Sequence, residues 1–411
     1  MEKMMKRLVF GLLVLICGVW QVGCAMSGDL QLSGTKRWLT VASTKDKNVA
    51  IGIARQMGSL GDKTQVVSSS SGYFAVILGP YEASSIAQLK KQGAGKFDEL
   101  PKDALLSQGG NYTEVVWTAA PATMALVSFT LTKPANFSVD GLQVKVLGQT
   151  LGAASAYTQV TGTDKSGASF SFDIGKDFPP DQQSSAESYM SEDFHKAGLV
   201  KLTKEGDPQI VVTEFSGGAH CCTSTWILNR PPGAAAWSLI EAEQLDGDGY
   251  WVEDVDGDGG LELLSADNHF FYAFDSYAGS FAPLKISQLQ NGKLQDVTDR
   301  AEMRDRLVQD LANMEFSAKI NPDLWKSNGF LVAWVASKIR LGDGDEAWAK
   351  FMASYDKNSD FGPQICTTGQ KVDDCPAGKL KAQPIPEGFA EFLEANGYYP
   401  LPRDAAKLIK N

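Results

Sequence analysis

The chain has 411 residues, 43% hydrophobic and 21% charged, with a formal net charge of −11. That length allows two to four domains and that composition is globular, which excludes wholesale disorder. Residues 1–25 carry three basic groups against one acidic, so the rest of the chain is strongly acidic, which excludes nucleic acid as the main partner because phosphate binding needs clustered Lys and Arg.

Lys3, Lys6 and Arg7 precede an uncharged apolar run from Leu8 to Trp20, and Gly23, Cys24 and Ala25 follow. A run of this length is too short to span a bilayer and reads as an export signal over residues 1–25. Cleavage after Ala25 gives a soluble periplasmic protein. Val22-Gly23-Cys24 resembles the end of a bacterial lipobox, which would place a lipid anchor on Cys24, although Gln21 stands where Leu is usual. Outside the signal, the cysteines are Cys221, Cys222, Cys366 and Cys375. Cys366 and Cys375 flank a Gly/Asp-containing loop suited to a local disulfide; Cys221 and Cys222 suit either a vicinal disulfide or buried thiols.

From Trp38 the pattern is βαββαβ in residues 38–117. Trp38 to Ser43 alternates as a strand, Lys45 to Met57 is helical in phase, and Gln65 to Val67 and Tyr73 to Leu78 are strands. Ala83 to Lys91 is a second helix, and Tyr112 to Trp117 closes the unit after a long loop. This segment resembles the SPOR (sporulation-related repeat) family, through Trp38-Leu39-Thr40-Val41-Ala42-Ser43, the Ala-containing helix from Val49 to Met57, and Tyr73-Phe74-Ala75-Val76-Ile77-Leu78-Gly79-Pro80-Tyr81. The stretch from Gln92 to Asn111 is longer than the family's. The resemblance implies binding of peptidoglycan glycan strands stripped of stem peptides, often at the division site. Eight Lys/Arg against seven Asp/Glu make residues 38–117 nearly neutral, as suits a sugar ligand gripped by aromatic faces and neutral hydrogen-bonding groups. Trp38, Thr40, Tyr73, Tyr81 and Tyr112 are the ligand residues expected on this reading.

Residues 120–298 read as a β-rich domain, with alternating runs at Ala125 to Leu131, Leu142 to Leu147 and Ser169 to Phe172, and a short helix at Ser188 to Lys196. Gly206 to Val212 aligns with Gly259 to Ser265 at an offset near 53 residues, each copy leading to an aromatic-rich strand (Thr225 to Leu228; Phe270 to Phe274). The repeat resembles the FG-GAP type found in β-propeller blades. Two copies do not close a propeller, so either residues 118–200 supply further strands or the piece is a smaller propeller-like sheet. In the second copy, Asp254, Asp256 and Asp258 alternate ahead of Glu262, with Gly257 and Gly259 freeing the backbone to curl. Such a loop offers Ca²⁺ its hard oxygens, with the Gly260 carbonyl as a further ligand. The first copy has Lys201, Thr203 and Glu205 instead, which argues against a site there. Asp246 and Asp248 either join the ligand set or form a turn. Gly217 to Cys222 reads as a tight turn whose cysteines pack or bridge, in preference to a Cys-His nucleophile or a metal site, and no catalytic motif is present.

Residues 299–411 are helical in period, at Met303 to Phe316, Leu324 to Arg340, Glu346 to Tyr355 and Glu387 to Asn396. The expected whole is an α+β multidomain protein: export signal, small SPOR-like unit, propeller-like β domain, helical C-terminal region. Its expected role is non-catalytic peptidoglycan binding in the periplasm. The alternatives are an exported cell-wall hydrolase targeted by its SPOR-like domain, and a calcium-stabilised scaffold that docks other envelope proteins.

Overall fold

The computed structural model describes residues 30–58, 63–93, 95–97, 100–118 and 124–409. The export signal and Cys24 lie outside the described residues. The chain is a mixed α/β multidomain protein that divides into two units, residues 1–119 and 120–411.

The first unit holds β1 (Lys36–Thr44), α1 (Lys47–Gly58), β2 (Thr64–Ser69), β3 (Phe74–Glu82), α2 (Ile86–Gln92), β4 (Leu105–Ser107) and β5 (Tyr112–Thr118). All pairings are antiparallel, in the order β4-β1-β3-β2-β5. The order β4-β1-β3-β2 is that of a split βαββαβ fold. Its closing strand is the three-residue β4, paired with β1 at Trp38–Thr40. The Tyr112–Trp117 segment, expected to close the unit, instead extends the opposite edge beside β2. At three residues β4 is too short to show a period in the sequence.

Alternation along the strands sorts the side chains to two faces. Helix α1 lies against β1, β2 and β3 and buries Ala50, Ile51, Ile53, Ala54 and Met57. The other face gathers Trp38, Val67, Ala75, Ile77 and Tyr112, covered by Leu30, Leu32 and Val115. Residue 109 must be glycine: φ is +77°, and a Cβ would strike the Leu30 carbonyl.

The second unit begins with β6 (Val127–Ser128), β7 (Ala135–Val139), β8 (Leu142–Leu151), β9 (Ser155–Thr163), β10 (Ser169–Ile174), β11 (Ser184–Ser185) and β12 (His195–Val200). It continues with β13 (Gln209–Phe215), β14 (Cys221–Asn229), β15 (Ser238–Glu241), β16 (Leu245–Asp246), β17 (Trp251–Glu253), β18 (Glu262–Ala266), β19 (Leu284–Gln290) and β20 (Lys293–Asp296). These make three antiparallel sheets. The first has the order β10-β9-β8-β7, the second β15-β14-β13-β12-β6 and the third β17-β18-β19-β20.

The sheets stack in series. Val144, Val146 and Val160 of the first meet Ile210, Val212 and Leu228 of the second. On its other face, Val211 and Ile227 meet Leu263 and Leu289 of the third. The second sheet is thus buried on both sides, which is why Ile210-Val211-Val212 is apolar without alternation. Residues 118–200 therefore supply strands of their own. The helix expected at Ser188–Lys196 reduces to a single 3-10 turn, Ser188–Met190, followed by β12. The aromatic strand expected at Phe270–Phe274 is a loop entered by the 3-10 turn Asn268–Phe270, whose Phe270 and Phe274 plug the helical core.

Helices α3 (Arg304–Ile320), α4 (Asn328–Leu341), α5 (Gly344–Ser354), α6 (Ile385–Ala395) and α7 (Ala405–Ile409) complete the unit. Ser327 caps α4, accepting the Phe330 N–H, and Gly342 ends it with φ +94°. Phe330, Trp334, Trp348, Phe351 and Phe389 fill the core, while Met303 and Leu307 pack on Leu264 and Ile286 of the third sheet. Residues 299–411 thus continue the second unit rather than forming a separate domain. Between α5 and α6, β21 (Gln364–Cys366) and β22 (Leu380–Ala382) form a small hairpin, where Cys366 and Cys375 are disulfide-bonded as expected.

Candidate functional site

Of the five ligand residues expected in the first unit, three are interior. Trp38, Thr40 and Tyr112 are 5, 8 and 7% exposed. Trp38 Nε1 donates to the Leu30 carbonyl at 2.9 Å, and Thr40 Oγ1 and the Tyr112 hydroxyl share a 2.7 Å hydrogen bond. These groups satisfy one another inside the unit, which corrects their expected display. Tyr73 is 39% exposed beside the β2–β3 turn, with Lys45 Nζ 5.6 Å from its ring centroid. Tyr81 is half-buried, edge-on to Phe97 at 5.4 Å. Gly79 permits this: φ is +107°, and a Cβ would lie 2.8 Å from the Tyr81 ring.

In the second unit the acidic loop joins β17 to β18. Carboxylate oxygens of Asp254, Asp256 and Glu262 lie within 4.8 Å of one another. Asp258 turns away to accept the Gly260 N–H at 2.7 Å, so it is not part of the converging trio. Glu262 is buried; it accepts the Val255 N–H at 2.7 Å and the Gln288 amide at 2.8 Å. Burial pushes the Glu262 carboxyl above its usual range, and the nearby Asp256 and Asp254 charges add to this against the opposing Gln288 and Val255 hydrogen bonds. Burial likewise raises Asp254, with Asp256 and Asp258 contributing. These carboxylates crowd charge at one point, which a cation would relieve.

The Gly217–Cys222 turn leads into a group of side chains that spacing did not reveal. Cys221 and Cys222 form a vicinal disulfide, one of the two expected alternatives. His220 Nδ1 lies 2.8 Å from Asp246 Oδ1, and its ring stacks on Tyr277 at 3.8 Å and 13°. The Tyr272 hydroxyl is 2.8 Å from His220 Nε2. Asp246 therefore holds His220 rather than joining the acidic loop. The partners lie 26 to 57 positions away along the chain, a separation no short motif encodes; the one local signal was the Gly-Gly-Ala-His-Cys-Cys run itself. His269 is a second surface imidazole, with Nδ1 2.7 Å from Asp267 Oδ1, whose other oxygen accepts the Tyr398 hydroxyl at 2.7 Å. His195 is fully buried and stacked on Tyr189 at 3.6 Å.

Residues 306–397 match the model of a family described as the sll0997 C-terminal domain. The chain is 33% identical over 392 residues to "Uncharacterized protein y4bJ" of Sinorhizobium fredii, a match covering 95% of this chain and 60% of that protein. It is 32% identical over 195 residues to "Probable thylakoid lumen protein sll0997" of Synechocystis, covering 46% of this chain and 56% of that protein. The chain thus spans less than two thirds of the length of these curated relatives. No solved structure matches.

Proposed function

We propose that this is an exported, non-catalytic protein of the bacterial cell envelope whose first unit binds peptidoglycan glycan strands. The observation that carries the reading is the βαββαβ sheet order β4-β1-β3-β2 in a nearly charge-neutral segment of an acidic chain. A fold of this order with the Tyr73–Tyr81 sequence pattern is what the SPOR resemblance implies. With Trp38, Thr40 and Tyr112 internal, the contact falls to Tyr73 on the β2–β3 rim and to Tyr81. An exposed tyrosine with a single lysine over its ring suits a neutral sugar better than an anion, because one cation gives little grip on phosphate. Export is supported by the basic-then-apolar beginning of the sequence, by the disulfide between Cys366 and Cys375, and by similarity to a protein described as lumenal. Among the described residues no helix is long and apolar enough to cross a membrane.

Calcium is part of the proposal. Asp254, Asp256 and Glu262 would hold the ion, supplying hard oxygens from three carboxylates, with water completing six to eight ligands. Its role there is structural, tying the β17–β18 loop. The experiment for the main reading is co-sedimentation of the full mature chain with amidase-treated cell wall, comparing Tyr73→Ala with the parent. Saturable binding weakened by Tyr73→Ala supports it; absence of binding refutes it.

A further inference from the structure

The cluster around His220 is built as a display for one side chain. Tyr272 is 49% exposed, and its φ of +62° is a left-handed backbone that a bulky residue adopts only where its surroundings impose it. Two contacts impose it here. Ser280 Oγ accepts the Tyr272 N–H at 3.1 Å, and the phenol meets His220. His220 is itself fixed by Asp246 on its edge and Tyr277 on its face. Asp246 is in turn fixed by the Gly247 N–H at 3.0 Å. The Tyr272 and Tyr277 rings lie 5.8 Å apart, and Phe271 lies 5.3 Å from Tyr277. The paired sulfurs of Cys221 and Cys222, both half-buried, follow directly on His220.

We infer that Tyr272, backed by His220, Asp246 and Tyr277, forms a second ligand site, on the second unit, for a neutral saccharide. The charges acting on these two tyrosines are the carboxylates Asp246 and Asp248, which disfavours a phosphate or other anion. A pyranose fits the remaining chemistry. Its C–H face stacks on an exposed tyrosine, and its hydroxyls donate to carboxylate and phenol oxygens. Preorganisation favours the reading, since a side chain already locked in place loses little entropy on binding. This site does not depend on the reading proposed above for the first unit.

The test is calorimetric titration of the full mature chain with a soluble β-1,4-linked N-acetylglucosamine oligomer. Tyr272→Ala is expected to weaken the second unit's binding roughly three- to tenfold, and Tyr272→Phe, which keeps the ring, to weaken it less. Tyr73→Ala reports on the first unit separately. Loss of binding in Tyr73→Ala with Tyr272→Ala silent overturns this inference and leaves the proposed function standing. Loss in Tyr272→Ala with Tyr73→Ala silent supports the inference and counts against the first unit as the glycan binder. An oligosaccharide isotherm absent at millimolar concentration, in a chain that still sediments with cell wall, also overturns the inference.

Discussion

Gln209 and Glu262 stand 53 residues apart and occupy the same place in two successive strand–loop–strand units. Gln209 Oε1 accepts the Leu202 N–H at 2.8 Å; Glu262 Oε2 accepts the Val255 N–H at 2.7 Å, seven residues back in each case. Each also meets an amide on the next strand, Asn229 or Gln288. The first loop carries its own cation: Lys201 Nζ donates to the Gly206 carbonyl at 3.0 Å, and Gln209 Nε2 donates to Thr203 Oγ1 at 3.0 Å. In the second loop Asp254 replaces that lysine, Asp256 the threonine and Glu262 the glutamine. The same frame therefore holds an internal cation in one copy and an excess of carboxylate in the other.

Calcium should accordingly raise the melting temperature of the full chain. A ligand bound only by the native state stabilises it by about 2.7 kcal/mol at a hundredfold excess over Kd. Asp256→Ala and Glu262→Gln should each abolish the response, the latter by converting the loop toward its neutral copy. Differential scanning calorimetry decides it; an unchanged melting temperature at millimolar calcium rules the site out.

Asp267 sets an acid limit. Burial opposes its charge, but hydrogen bonds from Tyr398 and His269 outweigh burial and hold its carboxyl below the usual range. A depressed folded value means that the unfolded chain takes up the proton first as pH falls. The contribution is thus complete above an unfolded pKa of about 3.9 and is lost as pH drops through the folded value. Stability should decline below about pH 4, and Tyr398→Phe should reduce the decline. Urea midpoints that fall equally in parent and variant across this range would contradict the assignment.

The Thr40–Tyr112 hydrogen bond is structural. Tyr112→Phe should destabilise the first unit by about 1 kcal/mol, the ordinary worth of a buried hydrogen bond, and leave cell-wall binding intact at temperatures where it stays folded. Trp38→Ala removes a buried indole and should cost about 3–5 kcal/mol. Denaturant titration gives both values. A stable Tyr112→Phe chain that no longer binds would return this residue to the ligand surface.

Replacing Cys366 and Cys375 together by Ser should cost ~2–3 kcal/mol, as expected for a short closed loop. The measurement is the calorimetric shift in the double variant. A change within error would mean that the 364–382 hairpin stays ordered without its bridge.

Local periodicity revealed most elements. The helices from Lys47, Arg304, Asn328, Gly344 and Ile385 and the long strands carry their own patterns. The misses have physical causes. β4 is three residues long, and Phe270 and Phe274 look like strand residues because a core-filling loop and a strand both select aromatics. Trp38 and Tyr112 read as displayed aromatics because sequence does not show that Leu30 and Leu32 cover that face of the sheet. The acidic loop was legible because its residues are contiguous. The His220 group was not, because Asp246 reaches it from β16 and Tyr272 and Tyr277 from the β18–β19 connection, all far along the chain.

Glycan binding by the first unit is measured by co-sedimentation of the mature chain with cell wall before and after amidase removes stem peptides. Sedimentation should be stronger after amidase, depend little on salt because few ion pairs are involved, and fall by roughly tenfold or less in Tyr73→Ala. Failure of the folded chain to sediment with amidase-treated cell wall would contradict glycan binding by the first unit.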